Sequence, residues 1–98
     1  MTSMPPPQRR ERRDVRYPLN LPVSVKLGDG EMRAYSENIS LGGILLSSAY
    51  LIPEGSTVEL AIGVSQRPLL SARGKVVRAQ PTISGNFAVA IVFERLRL

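Results

Sequence analysis

LPVSVKLGDGEMRAYSENISLGG, residues 21 to 43, decides the fold. Its first part sets Leu21, Val23, Val25 and Leu27 against small or polar residues, the period-two pattern of a strand with one buried face. Gly28-Asp29-Gly30 then predicts a tight hairpin turn, because glycine takes positive φ without steric cost. EMRAYSENI (31–39) returns as a second strand.

Working outward, the same grammar repeats. GILLSS (43–48) is a short apolar strand closed by the loop AYLIPEGS (49–56). TVELAIGV (57–64) alternates through Val58, Leu60 and Ile62, and LLSARGKVVRAQ (69–80) and NFAVAIVF (86–93) complete the set. Six strands with turn signals between them, no convincing helix and no internal repeat indicate an all-β barrel or sandwich. A six-stranded antiparallel β-barrel is favoured, because a small open sheet leaves unpaired edges that invite association. Pro18 and Pro22 suit an edge position, where a missing N–H costs nothing, and Phe87 and Phe93 are expected in the core. The 98 residues make one domain. Residues 1–8, with three prolines, are expected to be a disordered leader to a single domain over 9–98, which divides into a flexible arginine-rich arm (9–18) and the barrel (19–95).

Composition narrows the chemistry. The chain has no cysteine and no histidine, so disulfides, thiolate metal sites and the usual neutral-pH proton shuttle are all missing. No serine has a visible base, the carboxylates are scattered singly, and no phosphate loop of the GxxxxGK type occurs. A binding protein is expected, with no metal and no cofactor, and not an enzyme. No apolar run is long enough to span a bilayer, the arginine-rich start lacks a signal peptide's apolar stretch, and the lack of cysteine suits a reducing compartment, so a cytoplasmic protein is expected.

The net charge is +5, and RRERRDVR (9–16) carries most of it: five arginines against Glu11 and Asp14. The partner implied is anionic, and the arm is expected to meet it. Arginine offers phosphate a planar fork and offers a base a flat face, which lysine does not. In ENISLGG (37–43), Asn38 and Ser40 alternate ahead of the Gly42-Gly43 pair. An i, i+2 spacing predicts both side chains on one face of a strand, although an ordinary Asn/Ser turn with glycines is the alternative.

Arg12-x-x-x-Arg16 followed by Asn38-x-Ser40-x-x-Gly43 resembles the paired signature of the PilZ domain, the bacterial receptor module for cyclic di-GMP. The family pattern is RxxxR, then [D/N]xSxxG, on a six-stranded antiparallel barrel. YPLNLPVSV (17–25), Gly55 before a strand, and GKVVR (74–78) before a final strand ending in Phe93 fit as well. The resemblance implies cyclic di-GMP as ligand, with Arg12 and Arg16 meeting its phosphates and guanines and Arg13 as an auxiliary. By the same resemblance Asn38 and Ser40 face the nucleotide from a solvent-facing rim. Gly43 would make room for it or allow the turn, and Gly42 would relax that turn. The chemistry is apt: guanine O6 and N7 match an arginine fork, and phosphate takes bidentate, charge-assisted bonds.

Arg9-x-x-x-Arg13 has the same spacing, but Arg12 and Arg16 run directly into the first strand as the pattern requires, leaving Arg9 and Arg10 as steering charge. Glu11 stands where many relatives carry an arginine, which bears on whether one or two ligands bind. The leading expectation is a stand-alone receptor whose arm orders on binding and relays the signal to a downstream protein partner. Two others stay open: a PilZ-like adaptor that binds protein without nucleotide, and a small basic barrel for single-stranded nucleic acid. Aromatic platforms for the last are few, with five aromatics in all.

Overall fold

Alternating β-branched residues become strands because each buries every second side chain on a shared interior. The structure, a computed structural model, describes residues 18–64 and 67–97. Its strands are β1 Pro22–Leu27, β2 Gly30–Ile39, β3 Gly43–Ser48, β4 Thr57–Val64, β5 Arg67–Pro81 and β6 Phe87–Arg97. They close in the order β1-β2-β3-β6-β5-β4, all antiparallel, as the expected six-stranded barrel. Val23, Val25, Leu46, Val58, Ile62 and Val89 point into its interior and have no measurable exposure. Each such side chain contributes about 1.5–3 kcal/mol on burial.

The loop between β3 and β4 does more than connect. Ile52 lies fully buried in the core cluster, so the loop folds back over one end of the barrel. Its return is fixed to β5, with Gly55 N–H donating to the Val76 carbonyl (2.8 Å) and Val76 N–H to the Ser56 carbonyl (2.9 Å).

Several local expectations change. Closure leaves β1 paired on both sides, so Pro22 does not sit on an open edge. It is the first residue of β1 and faces Tyr35 of β2, while pairing with β4 begins only at Val23; the absent N–H therefore breaks no ladder. Of the two glycines in the first hairpin only Gly28 takes positive φ (+60°), and Gly30 already belongs to β2. Phe87 and Phe93 are half-buried flanks of the core, not its centre. β5 and β6 are longer than their alternation suggests, because register shifts between Arg73 and Gly74 and between Val76 and Arg78 interrupt the period.

Candidate functional site

The turn joining β2 to β3 is built around one hydroxyl. Ser40 Oγ accepts from the N–H groups of Gly42 and Gly43, both at 3.2 Å, while Ser40 N–H donates to the Gly43 carbonyl at 2.9 Å. Buried N–H groups need an acceptor, and here the serine supplies it. Ser40 is accordingly only 6% exposed, which corrects the expectation of a solvent-facing hydroxyl on a rim. Gly43 is buried without positive φ; a β-carbon there would stand 2.4 Å from the Ile91 carbonyl oxygen. Its glycine is needed so that β3 and β6 can approach, and Gly42 adds a further tie by accepting from Phe93 N–H at 2.9 Å.

Asn38 is placed by a bulge. The register passes from Ser36↔Leu46 directly to Asn38↔Leu45, so Glu37 is an extra residue in β2. Before it, Ala34 and Ser36 are buried; after it, Ile39 is. The bulge therefore moves Asn38, half-buried, to the outer face, where an uninterrupted strand would have turned it inward beside Ala34 and Ser36. The single-face expectation for Asn38 and Ser40 fails for this reason: one lies on the outer wall and the other inside the turn.

Ser36, which sequence reasoning passed over, anchors the incoming chain. Its buried hydroxyl donates to the Leu19 carbonyl and accepts from Leu21 N–H at 2.9 Å, and its own N–H donates to the Leu21 carbonyl at 2.8 Å. The segment leading out of the arginine arm is thus fastened two residues from Asn38. Arg12, Arg13 and Arg16 themselves lie outside the described residues, as does the leader.

Cross-strand register carries the site around the barrel. Asn38 faces Leu45, Leu45 faces Ala90, and Ala90 faces Arg78, one row across the outside of β2, β3, β6 and β5. Three strand spacings make the row roughly 14 Å wide. The next row joins Gly43, Val92 and Lys75. A shallow depression of about 570 Å³ lies over these rows, with Gly42, Gly43 and Leu45 on one side and Val77 and Arg78 on the other. Arg78 and Lys75 are the functional candidates that strand-by-strand reading missed. Both occur in the quoted GKVVR stretch, but the bulge at Val77 hides that they share the outer face.

Charge on the barrel is also concentrated. Of the eight lysines and arginines outside residues 1–16, Arg73, Lys75, Arg78, Arg95 and Arg97 all stand exposed on the β5–β6 ladder. Glu59 holds Arg73 at 2.8 Å and raises its pKa above the ordinary value, first through that hydrogen bond and then through charge attraction. The anion-attracting surface is therefore not confined to the arm. Among the described residues no helix is long and apolar enough to cross a membrane.

Comparison with known folds agrees with this architecture. The inhibitor of motility MotI/DgrA of Bacillus subtilis superposes with a TM-score of 0.75 at 23% identity, over 97% of this chain and 50% of that one. The PlzA protein of Borreliella burgdorferi, solved in complex with cyclic di-GMP, superposes with a TM-score of 0.58 at 16% identity, over 79% of this chain and 28% of PlzA. The chain thus spans half of the first protein and under a third of the second. A comparison with curated protein sequences gives no match. The PilZ domain family model matches residues 7–98, taking in both the arginine arm and the whole barrel, and the chain belongs to that family.

Proposed function

We propose that this domain is a receptor for cyclic di-GMP, a regulatory binding module and not an enzyme, which relays ligand binding to a protein partner. The observation that carries the reading is the outer-face row from Asn38 to Arg78, with the incoming chain tied down by Ser36 beside it. That arrangement puts a cation on one side of a concave surface and an amide on the strand next to its other side, opposite Leu45. On this reading the arginines of residues 12–16, a few positions ahead of the tether in sequence, meet the ligand in the same neighbourhood. A depression of about 570 Å³ falls in the ordinary range for small-molecule sites, roughly 300–1,000 Å³. Its shallowness leaves one side of a ligand uncovered, and Arg12 and Arg16 are the groups proposed to cover it. Arg13 assists, and Ser40 acts through the turn that holds Gly42 and Gly43 at the site's floor. PlzA, with the same fold, was solved with this nucleotide bound, which supports the choice of ligand.

Relay follows from where the clamp closes. Arginines drawn onto a ligand at the barrel wall create a surface that exists only in the bound state, and a partner can read it. Calorimetric titration with cyclic di-GMP, with GMP as control, tests the proposal. Binding at micromolar concentrations or tighter is expected for cyclic di-GMP and far weaker binding for GMP, with affinity falling as salt rises. Arg12→Ala and Arg16→Ala should each weaken binding by about 1.5–3 kcal/mol, the range for hydrogen bonds to charged groups, while Arg9→Ala costs under about 1 kcal/mol. No heat and no rise in melting temperature at large ligand excess would leave the nucleotide-free adaptor as the better reading.

A further inference from the structure

The last strand outruns one of its neighbours. β3 pairs with β6 only as far as Val92, opposite Gly43, and the bond from Phe93 N–H to the Gly42 carbonyl ends that ladder. On its other side β6 continues beside β5 to Arg97, opposite Ser71. Residues 94–97 therefore have a strand on one flank and, among the described residues, none on the other. Such an edge presents unpaired N–H and C=O groups to any extended chain.

Its side chains follow a definite order. Arg95 stands opposite Arg73 and Arg97 opposite Ser71, all exposed, around a depression of about 200 Å³ that reaches Glu59. Glu59 is engaged with Arg73 in the one ion pair among the described residues, so within these residues no carboxylate is paired with Arg95 or Arg97. Leu96, between them, is half-buried against the core. The edge reads cation outward, apolar inward, cation outward.

We propose that the 94–97 edge receives an extended acidic segment of a partner protein as an added strand. Carboxylates at alternate positions would stand opposite Arg95 and Arg97 on the outer face, and an apolar residue between them would cover Leu96. Opposite charges directly across a sheet attract, and the backbone ladder supplies the rest of the affinity. Other occupants fit less well. A second copy aligned edge to edge would bring arginines against arginines. The chain's own residues 9–16 carry five arginines against two acids, the wrong sign for this edge. A nucleic acid has no amides to continue the ladder and finds no aromatic ring in the depression to stack on. The inference gives the chemistry of the partner in the receptor reading above and rests on that reading for its purpose. The docking itself needs no cyclic di-GMP, so the two can fail separately.

The test uses the full chain without nucleotide and a short fluorescein-labelled peptide alternating glutamate with valine, followed by anisotropy. Binding is expected, and the Arg95→Glu/Arg97→Glu double variant, whose melting temperature should match the parent's, should lose at least about tenfold in affinity, the scale of two cross-strand charge pairs reversed. A peptide of the same sequence with N-methylated backbone amides keeps the charges but cannot extend a sheet, and it should bind at least about tenfold more weakly. No binding of the glutamate peptide, equal binding of the N-methylated peptide, or tighter binding of an oligothymidylate at the same salt would each overturn the proposal. So would self-association of the chain that the double variant abolishes. Cyclic di-GMP titrated into the double variant should bind as it does to the parent, which separates a failed edge from a failed receptor.

Discussion

The turns at 28–29 and 40–43 both contain glycine, both join neighbouring antiparallel strands, and differ in what they require of it. Gly28 has φ of +60° and open space where a β-carbon would go, so its glycine answers to the local backbone alone. Gly43 has no such conformation, but the Ile91 carbonyl oxygen stands 2.4 Å from the place of its β-carbon. The first turn is specified by its own residues. The second is specified by β6, nearly fifty positions downstream, and by Ser40, whose hydroxyl holds two of its N–H groups. The loop that holds the proposed binding residues is here the one more deeply committed to the barrel.

That difference can be broken by substitution. Gly43→Ala should have the largest effect, about 3 kcal/mol of lost stability, because the clash is with backbone that cannot rotate away. Thermal unfolding reads it directly, at about 4–8 °C per kcal/mol in a domain of this size. A variant as stable as the parent would mean that β3 and β6 are not so closely apposed.

Ser36→Ala comes next, at about 2 kcal/mol, since it strips a buried acceptor from Leu21 N–H and a donor from the Leu19 carbonyl. Hydrogen exchange at the Leu21 amide should accelerate beyond what global unfolding explains. Ser40→Ala should cost about 1–1.5 kcal/mol for the same kind of reason, and any loss of ligand affinity should accompany the loss of stability. Affinity lost at unchanged melting temperature would instead assign the hydroxyl to the ligand.

Gly28→Ala should cost about 1 kcal/mol, the penalty for a side chain in left-handed backbone, and Gly28→Asn should recover part of it. Smallest is Asn38→Ala, within about 0.5 kcal/mol in unfolding, because the residue lies on the outer wall at a bulge. An Asn38 variant that binds cyclic di-GMP as the parent does would remove the amide from the proposed site.

Much of the barrel was legible because alternation is written in the strands themselves. GILLSS and TVELAIGV begin and end where β3 and β4 do, since each lies between unmistakable turn residues. The bulges were not legible. An extra residue at Glu37 or Val77 has no chemical signature of its own and is recognised only against the partner strand. Everything that depended on them was lost with them: the face on which Asn38 sits, and the arrival of Arg78 on the same wall. The paired motifs named the family correctly, yet the hydroxyl of Ser40 turned out to organise the turn. A motif gives the residues that belong together, whereas register decides which way each one points.

The Ser36 fastening has a further consequence, which concerns leash length. Arg16 is three residues from Leu19 in sequence and Arg12 seven, and chains of those lengths reach at most roughly 11 Å and 25 Å. If these arginines clamp the ligand, they do so as groups already confined to its neighbourhood, with a high effective concentration that requires no diffusional search. Residues inserted between Arg16 and Leu19 would dilute that concentration gradually, as about the −3/2 power of linker length once the span is exceeded, and would leave every contact chemically intact. Sensitivity to the messenger could then be tuned by spacing alone, without altering any residue that touches it.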